Sequence, residues 1–171
     1  MRAPRPSKFD APPTERRRIA VASAAIMVGS LVTLVPLVAT VPFLPPFGLL
    51  MLLAFRLRDP ELFPSWGPLP LGLFDDLVSG QPFGSAMALW TLIYIAIDMI
   101  DHRLVWRGFW QDWFIAGGAV TFCLLGMRLF AAPLGAPVTT PVLLQAAVGV
   151  ALYPLAARIA AGIDERRRRA R

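Results

Sequence analysis

Basic residues in this chain collect in every second connection between apolar runs, and that segregation limits the fold more than any other feature. Six apolar stretches can be counted: Ile19 to Val41, about Phe43 to Phe55, about Leu62 to Val78, Phe83 to Ile100, Trp113 to Ala132 and Pro141 to Ile163. Every basic residue except Arg128 and Arg158 lies in the N-terminal tail, in Arg56 to Glu61, in Asp101 to Asp112 or in the C-terminal tail. The alternate connections read PFLPP, SGQPFG and APLGAPVTTP and carry no charge. Cytoplasmic loops are enriched in Lys and Arg. The pattern therefore predicts both termini inside and an even number of membrane spans.

Composition agrees. The chain of 171 residues is 56% apolar and 16% charged, with a mean hydropathy of +0.59. Soluble domains carry about 25% charged residues. The expectation is an all-α, polytopic membrane protein with a basic cytoplasmic face and about six transmembrane helices. Residues 1–18 read as a disordered basic tail, 19–163 as one transmembrane domain and 164–171 as a second basic tail. The first stretch exceeds the length of a signal-peptide core and is read as a span, with Pro36 as a kink. The second and third stretches are short or broken by proline, so their backbone needs protein neighbours. An alternative with four spans and residues 43–80 as a re-entrant hairpin keeps the parity but drives Arg56, Arg58, Asp59 and Glu61 into the bilayer.

Several polar residues stand inside or beside these runs. Asp75 and Asp76 lie near the non-cytoplasmic end of the third stretch. They read either as a polar centre for a ligand, a partner helix or a cation, or as a hydrated helix end. Arg128 falls at the same depth on the fifth stretch and is expected to pair with one of them, or else to snorkel to headgroups. Trp90, Tyr94 and Asp98 share a helix face, which makes a polar stripe toward another helix or an interfacial anchor. Asp101 reads as an interfacial residue. The segment RLVWRGFWQDW, residues 103–113, has the composition of an aromatic belt, or of a short interfacial helix. Gly117, Gly118, Ala119, Gly126, Ala146, Ala147, Gly149 and Ala151 allow close helix packing, and Pro154 should kink the sixth span.

Catalytic patterns are missing from the sequence. It has no Walker loop, no GxSxG, no HExxH and no DxxDGxxAR arrangement. Asp76 and Asp98 sit near opposite ends of the membrane, which argues against an aspartyl protease pair. One His and one Cys argue against a classical zinc site. No cofactor is expected, and no nucleic acid, because no soluble aromatic-bearing module accompanies the basic tails. Those tails suit anionic lipid.

The element GLFDDLVSGQPFG, residues 72–84, with the proline-broken second and third spans and a final span reading ALYPLAARIAAGI, resembles the rod shape-determining protein MreD family. The resemblance covers roughly residues 16–165. It rests on Gly72, Asp75 or Asp76, Gly80, Pro82 and Gly84, and the arginine-rich C-terminal tail is not part of it. What the resemblance implies is a non-enzymatic membrane scaffold of the bacterial elongation machinery. Its implied partners are an MreC-like single-span protein, through it an MreB-like cytoskeleton, a RodA-type glycosyltransferase and a penicillin-binding transpeptidase. The residues put forward for partner binding or an intramembrane polar centre are Gly72, Asp75, Asp76, Gly80, Pro82, Gly84, Asp98 and Arg128. The competing expectation is a small-solute transporter or its substrate-binding membrane subunit. A membrane enzyme ranks behind both.

Overall fold

Prolines and glycines set most of the helix boundaries in this chain. A computed structural model describes residues 13–33, 45–101, 108–131 and 139–169. All six elements among the described residues are α-helices: α1 Pro13–Val32, α2 Phe47–Arg58, α3 Pro68–Ser79, α4 Ser85–Asp101, α5 Phe109–Ala131 and α6 Thr139–Arg169. One helix falls on each apolar stretch. Two are long and apolar enough to cross a membrane, over Phe109–Phe130 and Val142–Arg166. Pro36, His102, the Arg103–Arg107 part of the aromatic segment and residues 1–12 lie outside the described residues.

α3 starts only at Pro68, after the turns at 59–67, and three other helices run beyond their apolar stretches. α1 begins at Pro13, inside the segment expected to be a disordered tail. A proline is well placed in the first turn of a helix, and Glu15 there suits the positive end of the dipole. α5 begins at Phe109, so the second half of the aromatic segment is helix. Gly108 N–H donates to Gln111 Oε1 at 3.0 Å, a side chain reaching back across the first turn. α6 runs on to Arg169, so the C-terminal basic residues extend a helix.

The helices pack in a closed circuit, each on two neighbours: α1 on α2, α2 on α6, α6 on α5, α5 on α4, α4 on α3 and α3 on α1. α2 also reaches α5 and is buried from Gly48 to Leu57. With 12 residues each, α2 and α3 are about 18 Å long at about 1.5 Å per residue. That is short of the about 30 Å hydrocarbon core. Some of the small residues named for packing set the helix spacing, whereas Gly118, Ala147 and Ala151 are exposed and nothing lies within 4 Å of where a Cβ on Gly118 would stand. A Cβ on Gly117 would stand 3.1 Å from Val150, and one on Gly149 would stand 2.9 Å from Val120. Both glycines lie in the α5–α6 seam.

Pro154 lies inside α6. It has no N–H, so the Val150 carbonyl one turn earlier loses its intrahelical donor. Trp113 of α5 replaces it, donating Nε1–H to Val150 O at 2.8 Å. This residue was expected to be a belt aromatic, and it closes a backbone gap between two helices instead. Trp113→Phe keeps the ring and removes the donor. It should cost about 1–3 kcal/mol in detergent-solubilised thermal unfolding, and the loss should disappear when Pro154 is also changed to Ala.

Candidate functional site

Two polar centres sit at opposite ends of the helix circuit. The first is built by the element 72–84. α3 ends in a left-handed Gly80 at φ 67°, and Gly84 follows at φ 91° just before α4. Both conformations suit glycine. The chain reverses between them and brings α4 back alongside α3. A Cβ on Gly72 would stand 2.7 Å from Met87 Cα and 2.8 Å from Met87 N. Only a glycine lets the two backbones approach that closely.

Asp76 then closes the turn. Its carboxylate accepts from Gly84 N–H at 3.0 Å, Ala86 N–H at 2.8 Å, Met87 N–H at 3.2 Å and the Ser85 hydroxyl at 3.0 Å. These amides open α4 and have no acceptor of their own within the helix. The carboxylate also lies at the positive end of the α4 dipole. Pro82 O accepts from Ser85 N–H at 3.0 Å and completes the turn.

Asp75 points elsewhere. Its Oδ1 lies 3.3 Å from where a Cβ of Gly48 would stand, against the first turn of α2. That turn starts after Pro46 and has no side-chain cap. The buried Ser30 hydroxyl of α1 and the Trp90 ring of α4 meet Gly48 at the same spot. Of the doubled aspartate, Asp76 thus serves the start of α4, while Asp75 lies beside the start of α2 without capping it. Both side chains are buried, so neither is a hydrated helix end.

The expected pair of Arg128 with these carboxylates is not among the ion pairs of the described residues. None of the four Asp76 contacts is with Arg128, because backbone amides and a hydroxyl take them. Arg128 is half-buried in the last turn of α5.

The second centre holds α2 to α4. Arg56, expected in a cytoplasmic loop, is 1% exposed. It donates to Asp98 Oδ1 at 2.8 Å, and its other terminal nitrogen is 3.0 Å from Asp101. Its guanidinium lies over the Tyr94 ring, 4.8 Å from the centroid. The Tyr94 hydroxyl donates to Phe63 O at 2.9 Å in the α2–α3 connection. Next to this, Arg18 of α1 pairs with Asp59 just beyond α2. Asp98 therefore faces another helix, as its shared face with Tyr94 suggested. Asp101 is drawn into the protein and is not simply interfacial. Arg56 is the residue the sequence reading missed. The signal was present: Asp98 and Asp101, one turn apart on an apolar helix, call for a cation.

No known protein family, curated protein or solved structure matches the chain.

The second centre predicts strong coupling. Arg56→Met alone leaves two carboxylates facing each other and should destabilise the protein by about 3 kcal/mol or more. Arg56→Met with Asp98→Leu and Asp101→Leu should recover most of that loss in a thermal-unfolding cycle. Additive losses would mean the three groups do not interact.

Proposed function

We propose that the chain is a multi-pass membrane scaffold of the MreD type. In this reading it positions cell-wall synthesis by holding an MreC-like single-span protein beside a RodA-type glycosyltransferase and its transpeptidase. Both termini lie in the cytoplasm, and six helices enter the bilayer, the two short ones held inside the others. The observation that carries the reading is what the residues of the resemblance do. Gly72, Asp76, Gly80 and Gly84 make one rigid helical hairpin, α3–turn–α4, and each has a structural task there. A motif spent on backbone geometry suits a protein whose output is a shaped surface.

The charged residues favour the same orientation. Arg18, Arg58, Asp59 and Asp164 meet at one end of the bundle, while Asp75 and Asp76 are buried at the other helix ends. A second reading, a solute transporter or its substrate-binding subunit, is favoured by α2 alone. Its short, buried course puts a helix start inside the protein, as in many transport sites. Asp75 already stands beside that start, which weakens the reading.

The test is capture of a tagged chain from its native membrane in mild detergent, with depletion followed by microscopy. The scaffold reading expects a single-span partner and cell-wall synthases in the eluate, and rounded cells on depletion. An ATPase module or a bound solute in the eluate, with cells still rod-shaped, would replace it with the transporter reading.

A further inference from the structure

The apolar height of the bundle differs from side to side. The apolar parts of α5 and α6 run over 22 and 25 residues, about 33 and 37 Å of helix. α3 has 12 residues, about 18 Å. It packs on α1 and α4, and its remaining side is apolar and turned outward. Pro70 and Leu77 there are exposed, and Leu69, Leu73, Phe74 and Val78 are half-buried.

Irregular backbone bounds α3 at both ends. Before it, Pro60, Glu61, Pro64, Ser65 and Trp66 are exposed in a run of turns. Leu62 N–H donates to Asp59 O at 3.1 Å and Gly67 N–H to Pro64 O at 2.8 Å in those turns. After it, Gly80, Pro82 and Phe83 are exposed in the turn to α4. Exposed irregular backbone does not lie in hydrocarbon, because its amides and carbonyls need water or protein. Both segments belong at headgroup level, and only the length of α3 separates them.

The neighbouring helix shows how deep the inner segment sits. Phe63 O accepts from the Tyr94 hydroxyl at 2.9 Å, and side chains on a helix tilt toward its N-terminus. The turn at Phe63 therefore lies at the height of Tyr94 or deeper, while α4 runs on to Asp101, about 10 Å further. Ile95, Met99 and Ile100 are exposed along that stretch of α4. One height thus carries irregular backbone beside α3 and large apolar side chains on α4. Lipid or a second protein could fill this step. Helices meet in membranes through small residues, and the outward side of α3 offers only Leu, Pro, Phe and Val. That favours lipid.

We propose that the α3 side of the molecule thins the bilayer locally to about 20 Å of hydrocarbon, the length of α3, and so gathers short-chain lipid. The inference rests on the reading that the chain crosses a membrane. It adds a side with its own lipid preference to that reading.

Two measurements on the full chain in lipid nanodiscs test this, with single cysteines added at exposed positions and the buried Cys123 of the wild type as background. In dioleoyl phosphatidylcholine, a membrane-impermeant maleimide should label Ser65→Cys about tenfold faster than Ile95→Cys, since only the first meets water. In an equimolar mixture of dimyristoleoyl and dierucoyl phosphatidylcholine, one of them brominated in turn, quenching of an attached bimane reports the local lipid. The short lipid should be favoured about threefold at Leu77→Cys on α3 and not at Phe122→Cys on α5, because mismatch costs a fraction of a kcal/mol per Å. Slow labelling at both positions would mean that protein or full-thickness lipid covers the step, and overturns the proposal. Equal lipid preference at Leu77→Cys and Phe122→Cys also overturns it. Fast labelling at both Ser65→Cys and Ile95→Cys would sink the membrane reading itself. The two measurements use different variants, so failure of one to fold leaves the other to decide.

Discussion

A helix start or a helix break leaves backbone amides and carbonyls without an intrahelical partner, and two of the ties between helices in this bundle come from supplying them. Each unsatisfied group in an apolar medium costs several kcal/mol. The start of α4 is supplied by Asp76, which accepts from three backbone amides and one hydroxyl. The break at Pro154 in α6 is supplied by Trp113 from α5. In both places one side chain from a neighbouring helix substitutes for a missing helical partner. The repair of the backbone is therefore also a tie between helices. That is why the polar residues of this apolar chain sit at helix ends and breaks.

Charge follows the same economy. Arg56 is almost wholly buried, yet two carboxylates and a ring surround it. A cation in that position without its partners would be among the most costly groups in the bundle. With them it fixes the relative height of α2 and α4, which are not sequence neighbours. The hairpin α3–α4 at one end and this ion cluster at the other grip α4 from both sides.

Much of the fold could be read directly. The six apolar stretches gave six helices, because alternation of apolar runs with arginine-bearing connections depends only on partitioning. Boundaries were harder. Residues 13–18 looked like a tail because their charge was weighed above the helix-start chemistry of Pro13 and Glu15. Phe109 and Trp110 looked like part of a loop because their composition suits an interface, although Gly108 and Gln111 carry a start signal. The polar centre at Asp75 and Asp76 was visible as a place, while its wiring was not. Opposite charges at similar depth suggested Arg128, but buried carboxylates also bond to backbone amides, and sequence spacing does not distinguish the two. Arg56 escaped because position in a basic connection argued for solvent, and only the turn of α2 shows that it points inward.

The α3–α4 hairpin depends on Asp76 serving the backbone of α4, and amide hydrogen exchange in lipid nanodiscs tests that most directly. The amides of Gly84, Ala86 and Met87 should exchange slowly in the wild type. In Asp76→Ala they should exchange far faster, while the middle of α5 stays protected. Rapid exchange of those three amides in the wild type, or unchanged protection in the variant, would contradict it.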